Sequence, residues 1–261
     1  MSKNIEIIVN YKKHPLSDYK YQLKCKNILK KKSVLILKKF LNRDALIQIQ
    51  NEALSLQNKA FYCKQNHTIL LNKKDKKKDI NDPLNIEVIS DKGCVPHDLI
   101  LQNSHLNTLY KSVDFKKFLI KVLNVENIYP YKDKLSSINY NYYQFKQQLG
   151  WHFDNASFAI TLLIQSPEKG GIFEYINEGR DYKNNYINKR FIEEVLKNKV
   201  KTKNIKANEG TLILFFGRNY LHRVTKVESL KPRILVTLNY NEEKNIALSS
   251  NARKTFFGRL N

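Results

Sequence analysis

The spacing of apolar residues changes near Ser137, and this change restricts the fold more than any other feature of the chain. Upstream, Leu46, Ile49 and Ala53 recur on one face of a helix over about Arg43 to Leu56, with Asn42 at its N-cap. Leu106, Leu109, Tyr110, Val113, Phe118 and Val122 do the same over Leu106 to Leu123. One strand, Ser33 to Leu37, precedes these helices, residues 57–95 read as loop-rich, and Tyr129-Pro130-Tyr131 closes the helical half. Downstream the period shortens toward two, the mark of strands with alternating faces. The expected strands are Ile138 to Phe145, Phe158 to Gln165, Ile172 to Ile176, Thr211 to Phe216 and Ile234 to Tyr240, with turns at Gly170-Gly171 and Glu209-Gly210.

No internal repeat or low-complexity linker divides the 261 residues, so we read residues 1–261 as a single domain. Its parts are a helix-rich half (1–136), a β core (137–242) with a charged insertion (181–206) holding a short helix, and a tail (243–261). The first residues lack the basic, apolar and small-residue regions of a secretory signal, and no apolar run is long enough to span a membrane. A cytoplasmic protein without membrane association is expected, and its oligomeric state is not legible. Cys25, Cys63 and Cys94 are three in number and far apart, which fits reduced thiols and neither a disulfide framework nor a CxxC zinc site.

The net charge of +22 is extreme, and such a field attracts phosphate backbones and anionic surfaces. Yet Lys, Asn, Ile and Tyr are abundant together, as A/T-rich codon usage would produce. The densest run, Lys73 to Asp79, has no interleaved aromatics and reads as a solvated loop.

The chemistry centres on Trp151-His152-Phe153-Asp154. Residues two apart in a strand face the same side, so His152 and Asp154 can offer an imidazole nitrogen and a carboxylate oxygen to one ion. By itself such a triplet is weak. A second apolar strand delivers His222, 68 residues after Asp154. Two histidines and one carboxylate form a ligand set of non-haem iron(II), and catalytic zinc also accepts it. Arg233 then opens the strand Arg233 to Tyr240, sharing a face with Leu235, Thr237 and Asn239; its planar fork suits a carboxylate.

This order of HxD, distal His and Arg resembles the iron(II)/2-oxoglutarate-dependent dioxygenases. The segment Asn141-Tyr142-Tyr143 resembles the N-x-Y strand by which part of that superfamily contacts 2-oxoglutarate. Over about Pro96 to Glu242 the sequence looks like the branch holding free-amino-acid hydroxylases and radical halogenases. The resemblance implies a mainly β fold with flanking helices around a double-stranded β-helix of jelly-roll or cupin type. It also implies iron(II) on His152, Asp154 and His222, and 2-oxoglutarate held by Arg233 with help from Tyr143 and Asn141. Dioxygen is the oxidant, succinate and carbon dioxide are co-products, and ascorbate is a candidate stimulant. In the halogenating members of the branch a Gly replaces the acid of HxD. Asp154 is present here, which points to hydroxylation.

For substrate contacts the sequence offers Asn155, Glu174, Thr237 and Asn239, with Glu174 as a partner for an ammonium group. The expected partner is a small polar molecule, a free amino acid first. A nucleic-acid- or protein-modifying oxygenase is the alternative that the charge and the N-x-Y strand raise, but no basic-aromatic alternation supports a flipped-base lid.

Overall fold

A computed structural model describes residues 5–261; residues 1–4, where the reading of the amino-terminus begins, lie outside the described residues. Fourteen described strands occur in chain order: β1 (Val34–Leu37), β2 (Phe61–Thr68), β3 (Glu87–Val95), β4 (Tyr129–Pro130), β5 (Ile138–Tyr143), β6 (Leu149–His152), β7 (Ala159–Gln165), β8 (Phe173–Asp181), β9 (Tyr186–Ile187), β10 (Lys203–Ile205), β11 (Thr211–Phe215), β12 (Tyr220–Val224), β13 (Arg233–Leu238) and β14 (Tyr240–Asn241). The α-helices are α1 (Tyr19–Lys32), α2 (Arg43–Leu56), α3 (His105–Lys111), α4 (Val113–Leu123), α5 (Lys189–Leu196) and α6 (Ser250–Phe257). No helix among the described residues is long and apolar enough to cross a membrane.

The strands form a seven-stranded antiparallel sheet, in the order β1-β11-β7-β13-β5-β3-β2, and a smaller one, β10-β8-β12-β6, with β9 beside β8. Alternation sorts the side chains of the large sheet. Tyr140, Tyr142, Ile160, Leu162, Ile164, Leu212, Leu214, Ile234 and Val236 join the main core with residues of α1 to α4. The helical layer is also tied on by polar contacts: the hydroxyl of Tyr142 donates to the Ala53 carbonyl (2.7 Å), and the Gln50 amide donates to the Ile164 carbonyl (2.8 Å). On the opposite face Ile213 and Phe215 meet Phe173 and Tyr175 of the small sheet, so a second core lies between the sheets. The outer face of the small sheet (Trp151, Ile176, Leu221) is covered by Ile192 and Val195 of α5.

Several elements differ from the sequence expectation, each for a local reason. The helix expected over Leu106 to Leu123 is two helices, because the Ser112 side chain caps the second by accepting the Phe115 amide. Asn42 occupies the N-cap of α2, but its amide donates instead to the Glu6 and Val9 carbonyls, tying down the preceding segment. Residues 57–95 are loop over 69–82, but on either side of it β2 and β3 make an eight-pair hairpin at the edge of the large sheet. The β2 strand is mostly exposed along its length and shows no clean apolar alternation. In α1 only Cys25 and Leu29 are buried among many lysines, and α6 falls in what reads as a tail. Strand β8 continues past Ile176 to Asp181, into the insertion. The lysine run is exposed in the loop joining β2 and β3, and all three cysteines are free thiols.

Candidate metal centre

In the small sheet β12 lies between β6 and β8, and its register sets His222 directly opposite His152. Both rings project to the inter-sheet side with centroids 4.1 Å apart, and Phe173 and Phe215 wall in the His222 ring. Asp154 follows β6, where its amide donates to the Gly217 carbonyl (3.0 Å). Its Oδ1 stands 3.5 Å from Nε2 of each histidine. One ligand atom from each of the three residues falls within a 4.8 Å cluster.

The hydrogen bonds assign the ring nitrogens. Nδ1 of His152 faces the Gly150 carbonyl at 2.8 Å and Nδ1 of His222 faces the Tyr220 carbonyl at 2.9 Å. A carbonyl only accepts, so both Nδ1 atoms carry the proton, and both Nε2 lone pairs are turned toward Asp154. Burial, then the neighbouring His222, lowers the pKa of His152 and keeps its ring neutral. Burial alone would raise the pKa of Asp154, but the attraction of the two imidazoles, when they carry a second proton, outweighs it and holds the carboxyl far below the usual carboxylate range. Three electron-pair donors converging with no proton between them fit a cation, and backbone-oriented Nδ1 groups are how metal-ligating histidines are commonly held.

Gly217 makes room for the carboxylate, since a Cβ there would stand 1.8 Å from Asp154 Oδ2 and 3.0 Å from Cε1 of His222. Nothing in the strand-turn pattern around Phe215 to Arg218 marks this requirement.

A second polar group lines the large sheet. Arg233 pairs with Tyr143, Leu235 with Asn141 and Thr237 with Asn139, so these six residues share the inner face. Arg233 is 4 % exposed, its guanidinium stands 5.6 Å from the centre of the Tyr143 ring, and its Nη1 is buried without a hydrogen-bond partner. Burial pulls its pKa down, and Tyr143 opposes this only in part. An unpaired buried donor costs about 1–3 kcal/mol, more when charged, so the site fits an anionic acceptor such as a carboxylate.

The Asn141 side chain accepts a 2.6 Å hydrogen bond from Lys92 Nζ, a cation on β3 that the sequence reading missed; Lys92 also lies over the Phe256 ring of α6. Thr237 and Asn239 continue the polar row. The Asn239 amide nitrogen donates to the Ser136 carbonyl, Asn139 Oδ1 and Thr237 Oγ1, which leaves its oxygen as an acceptor. Asn155 is exposed and lines a groove of about 470 Å³ with Ser157, Glu242 and Glu243. Glu174 is placed differently from expectation. It shares the outer face with Ile176, and its carboxylate accepts from Arg223 Nε (2.7 Å), whose guanidinium lies over Trp151. Strand parity turns it away from the ligand cluster.

The fold recurs in solved oxygenases. A 2OG-Fe(II) oxygenase-family oxidoreductase from Burkholderia pseudomallei is similar with a TM-score of 0.54 at 13 % identity, covering 86 % of this chain and 92 % of that one. A prolyl hydroxylase from Trichoplax adhaerens, solved with a peptide of hypoxia inducible factor, gives 0.53 at 15 % identity, covering 90 % and 99 %. The non-heme alpha ketoglutarate-dependent carbocyclase SnoK from nogalamycin biosynthesis gives 0.55 at 7 % identity, covering 83 % and 82 %. At such identities the likeness is one of fold. No curated protein matches the sequence. The fold is the one these oxygenases share, and it carries a His-Asp-His cluster. The chain belongs to the family HalD, Halogenase D, whose model matches residues 18–256.

Proposed function

We propose that the protein is an iron(II)- and 2-oxoglutarate-dependent hydroxylase of a small polar substrate, a free amino acid. Asp154 carries the reading: its carboxylate stands between the two Nε2 atoms, where the halogenating proteins it resembles have a Gly. A carboxylate there fills the position a halide would need, so hydroxylation follows in spite of the family's name.

In this reading His152, Asp154 and His222 hold iron(II), and the buried, unpaired Arg233 takes the far carboxylate of 2-oxoglutarate. When bound, iron(II) with 2-oxoglutarate and dioxygen supplies the oxidising power, one oxygen atom entering a substrate C–H bond and the other leaving in succinate, with carbon dioxide released. The chain's own work is positional. Tyr143 backs the guanidinium, and the buried inner faces exclude water from the reacting bond. Lys92 offers a cation for the substrate carboxylate, and Asn239, held by its bond to Thr237, offers its side-chain oxygen for the ammonium group, in place of Glu174. Asn155, one residue after Asp154, lines an exposed groove and is assigned a substrate contact there.

The test loads the protein anaerobically with iron(II) and 2-oxoglutarate, admits oxygen with a pool of amino acids in excess chloride, and follows products by mass spectrometry. One amino acid should gain a single oxygen in step with succinate. A chlorinated product would overturn Asp154 as a ligand during turnover, and oxidation of a peptide or oligonucleotide but no free amino acid would overturn the substrate class.

A further inference from the structure

Strand β6 is the edge of the small sheet, paired on one side with β12 and free of a sheet partner on the other. That free side is gripped by the β2–β3 hairpin. The Phe153 amide donates to the Ile69 carbonyl (2.8 Å), and the Asp91 amide donates to the Gln148 carbonyl (2.9 Å). Gly150 lies so close to the hairpin that a Cβ would stand 2.8 Å from the Ile89 carbonyl oxygen.

Between these anchors runs a buried chain of hydrogen bonds. His67 is 6 % exposed and its ring stands edge-on to that of His152, centroids 6.3 Å apart. Nδ1 of His67 must donate to the Thr68 carbonyl (2.8 Å), which leaves Nε2 in the neutral ring as an acceptor for the Ser90 hydroxyl (2.6 Å). The Ser90 oxygen in turn accepts the Gly150 amide (3.0 Å), and the Gly150 carbonyl accepts Nδ1–H of His152 (2.8 Å). Each proton has one acceptor, so donation runs one way along the chain, from His152 to the Thr68 carbonyl.

We propose that His67 and Ser90 are positioning residues for His152. They hold Gly150, and hence the carbonyl that orients the imidazole, so that Nε2 points at the metal position before any metal arrives. The proposal rests on reading His152 as a metal ligand. Removing the Ser90 hydroxyl frees the Gly150 amide and strips His67 of its donor, so His152 loses its fixed azimuth while the ligand itself remains. Such outer partners typically matter by about 10–100-fold in metal affinity.

The test titrates the full-length protein with cobalt(II), a spectroscopic substitute for iron(II), and reads both affinity and ligand-field absorption. Ser90→Ala and His67→Phe should each weaken cobalt binding by about 10–100-fold and shift the absorption. His67→Gln, which restores an acceptor for Ser90, and Ser90→Thr, which restores the hydroxyl, should recover most of the affinity. If Ser90→Ala does not fold, Ser90→Cys keeps the volume with a weaker donor and should fall between. His152→Ala and His222→Ala serve as controls. Native cobalt affinity in those controls would overturn the metal site itself. Loss in the controls with native affinity and spectrum in Ser90→Ala or Ser90→Cys and in His67→Phe, or equal loss in His67→Gln and His67→Phe, would overturn the positioning role alone.

Discussion

Two residues decide how Asp154 can be used, and only one of them bears a side chain. His152 supplies the neutral lone pair opposite it, and Gly217 supplies the space behind it. Because a Cβ at Gly217 would stand 1.8 Å from Asp154 Oδ2, Gly217→Ala must push the carboxylate away from the two Nε2 atoms. We expect a metal affinity about 10–100-fold weaker with the fold retained, read by cobalt titration beside circular dichroism. Native affinity would show that Asp154 does not need its observed position. The pH dependence follows from His152. Its pKa lies below the ordinary 6.5, so the folded protein binds this proton more weakly than the unfolded chain does. The stability of the metal-free protein should therefore be level above pH 6.5 and fall as pH drops from there through the depressed value, whereas metal affinity, set by the folded protein alone, should hold until pH reaches the depressed value and fall below it. The depressed pKa of Asp154 adds its loss only below the ordinary carboxylate value of 3.8. Titrations at a series of pH values check both, and an affinity that is halved already above pH 7 would contradict a depressed His152.

At the scale of elements, legibility in the sequence tracks how each strand is buried. Strands β5, β7, β11 and β13 have one face on the helices and one on the small sheet, and their β-branched and aromatic runs mark them to within about two residues at each end. The helix α2 reads equally well, since Ala45, Ile49, Ala53 and Leu56 are buried on one stripe. The β2–β3 hairpin does not, because an edge strand with Lys64, Gln65 and Asn66 in its middle is patterned by solvent and not by a core. That one blind spot hides three of the groups around the site: Lys92 and Ser90 come from this hairpin and reach Asn141 and Gly150 across 49 and 60 positions of sequence, and His67, from the same hairpin, acts through Ser90. Glu174 fails for a different reason. Period two tells which residues share a face but not which face is inner, and Phe173 and Tyr175 take the inner one. His152, His222 and Arg233 stand out because each sits on a strand beside buried apolar residues, and Asp154 stands out by its spacing from His152; their roles rest on the experiments above.

Across the whole molecule, the densest run of charge is exposed at the surface. The 46 basic residues exceed the 24 acidic ones by 22, yet Arg233 is buried between the sheets, whereas Lys73, Lys74, Lys76, Lys77 and Lys78 are exposed in the loop joining β2 and β3. Exposed charges more than about 8–10 Å from the reacting groups are largely screened at physiological salt. A substrate with one carboxylate, met by one cation such as Lys92, releases at most about one counterion on binding, whereas a nucleic acid lying along the basic surface releases several. The two cases differ in slope. For a free amino acid we expect the logarithm of KM to rise with the logarithm of salt concentration with a slope no greater than about one, even though the protein binds strongly to a cation-exchange resin. Steady-state kinetics over a range of potassium acetate concentrations, which avoid chloride, measure that slope. A value of several would mean that the exposed lysines contact the substrate, and would move the substrate class from a free amino acid to a polyanion.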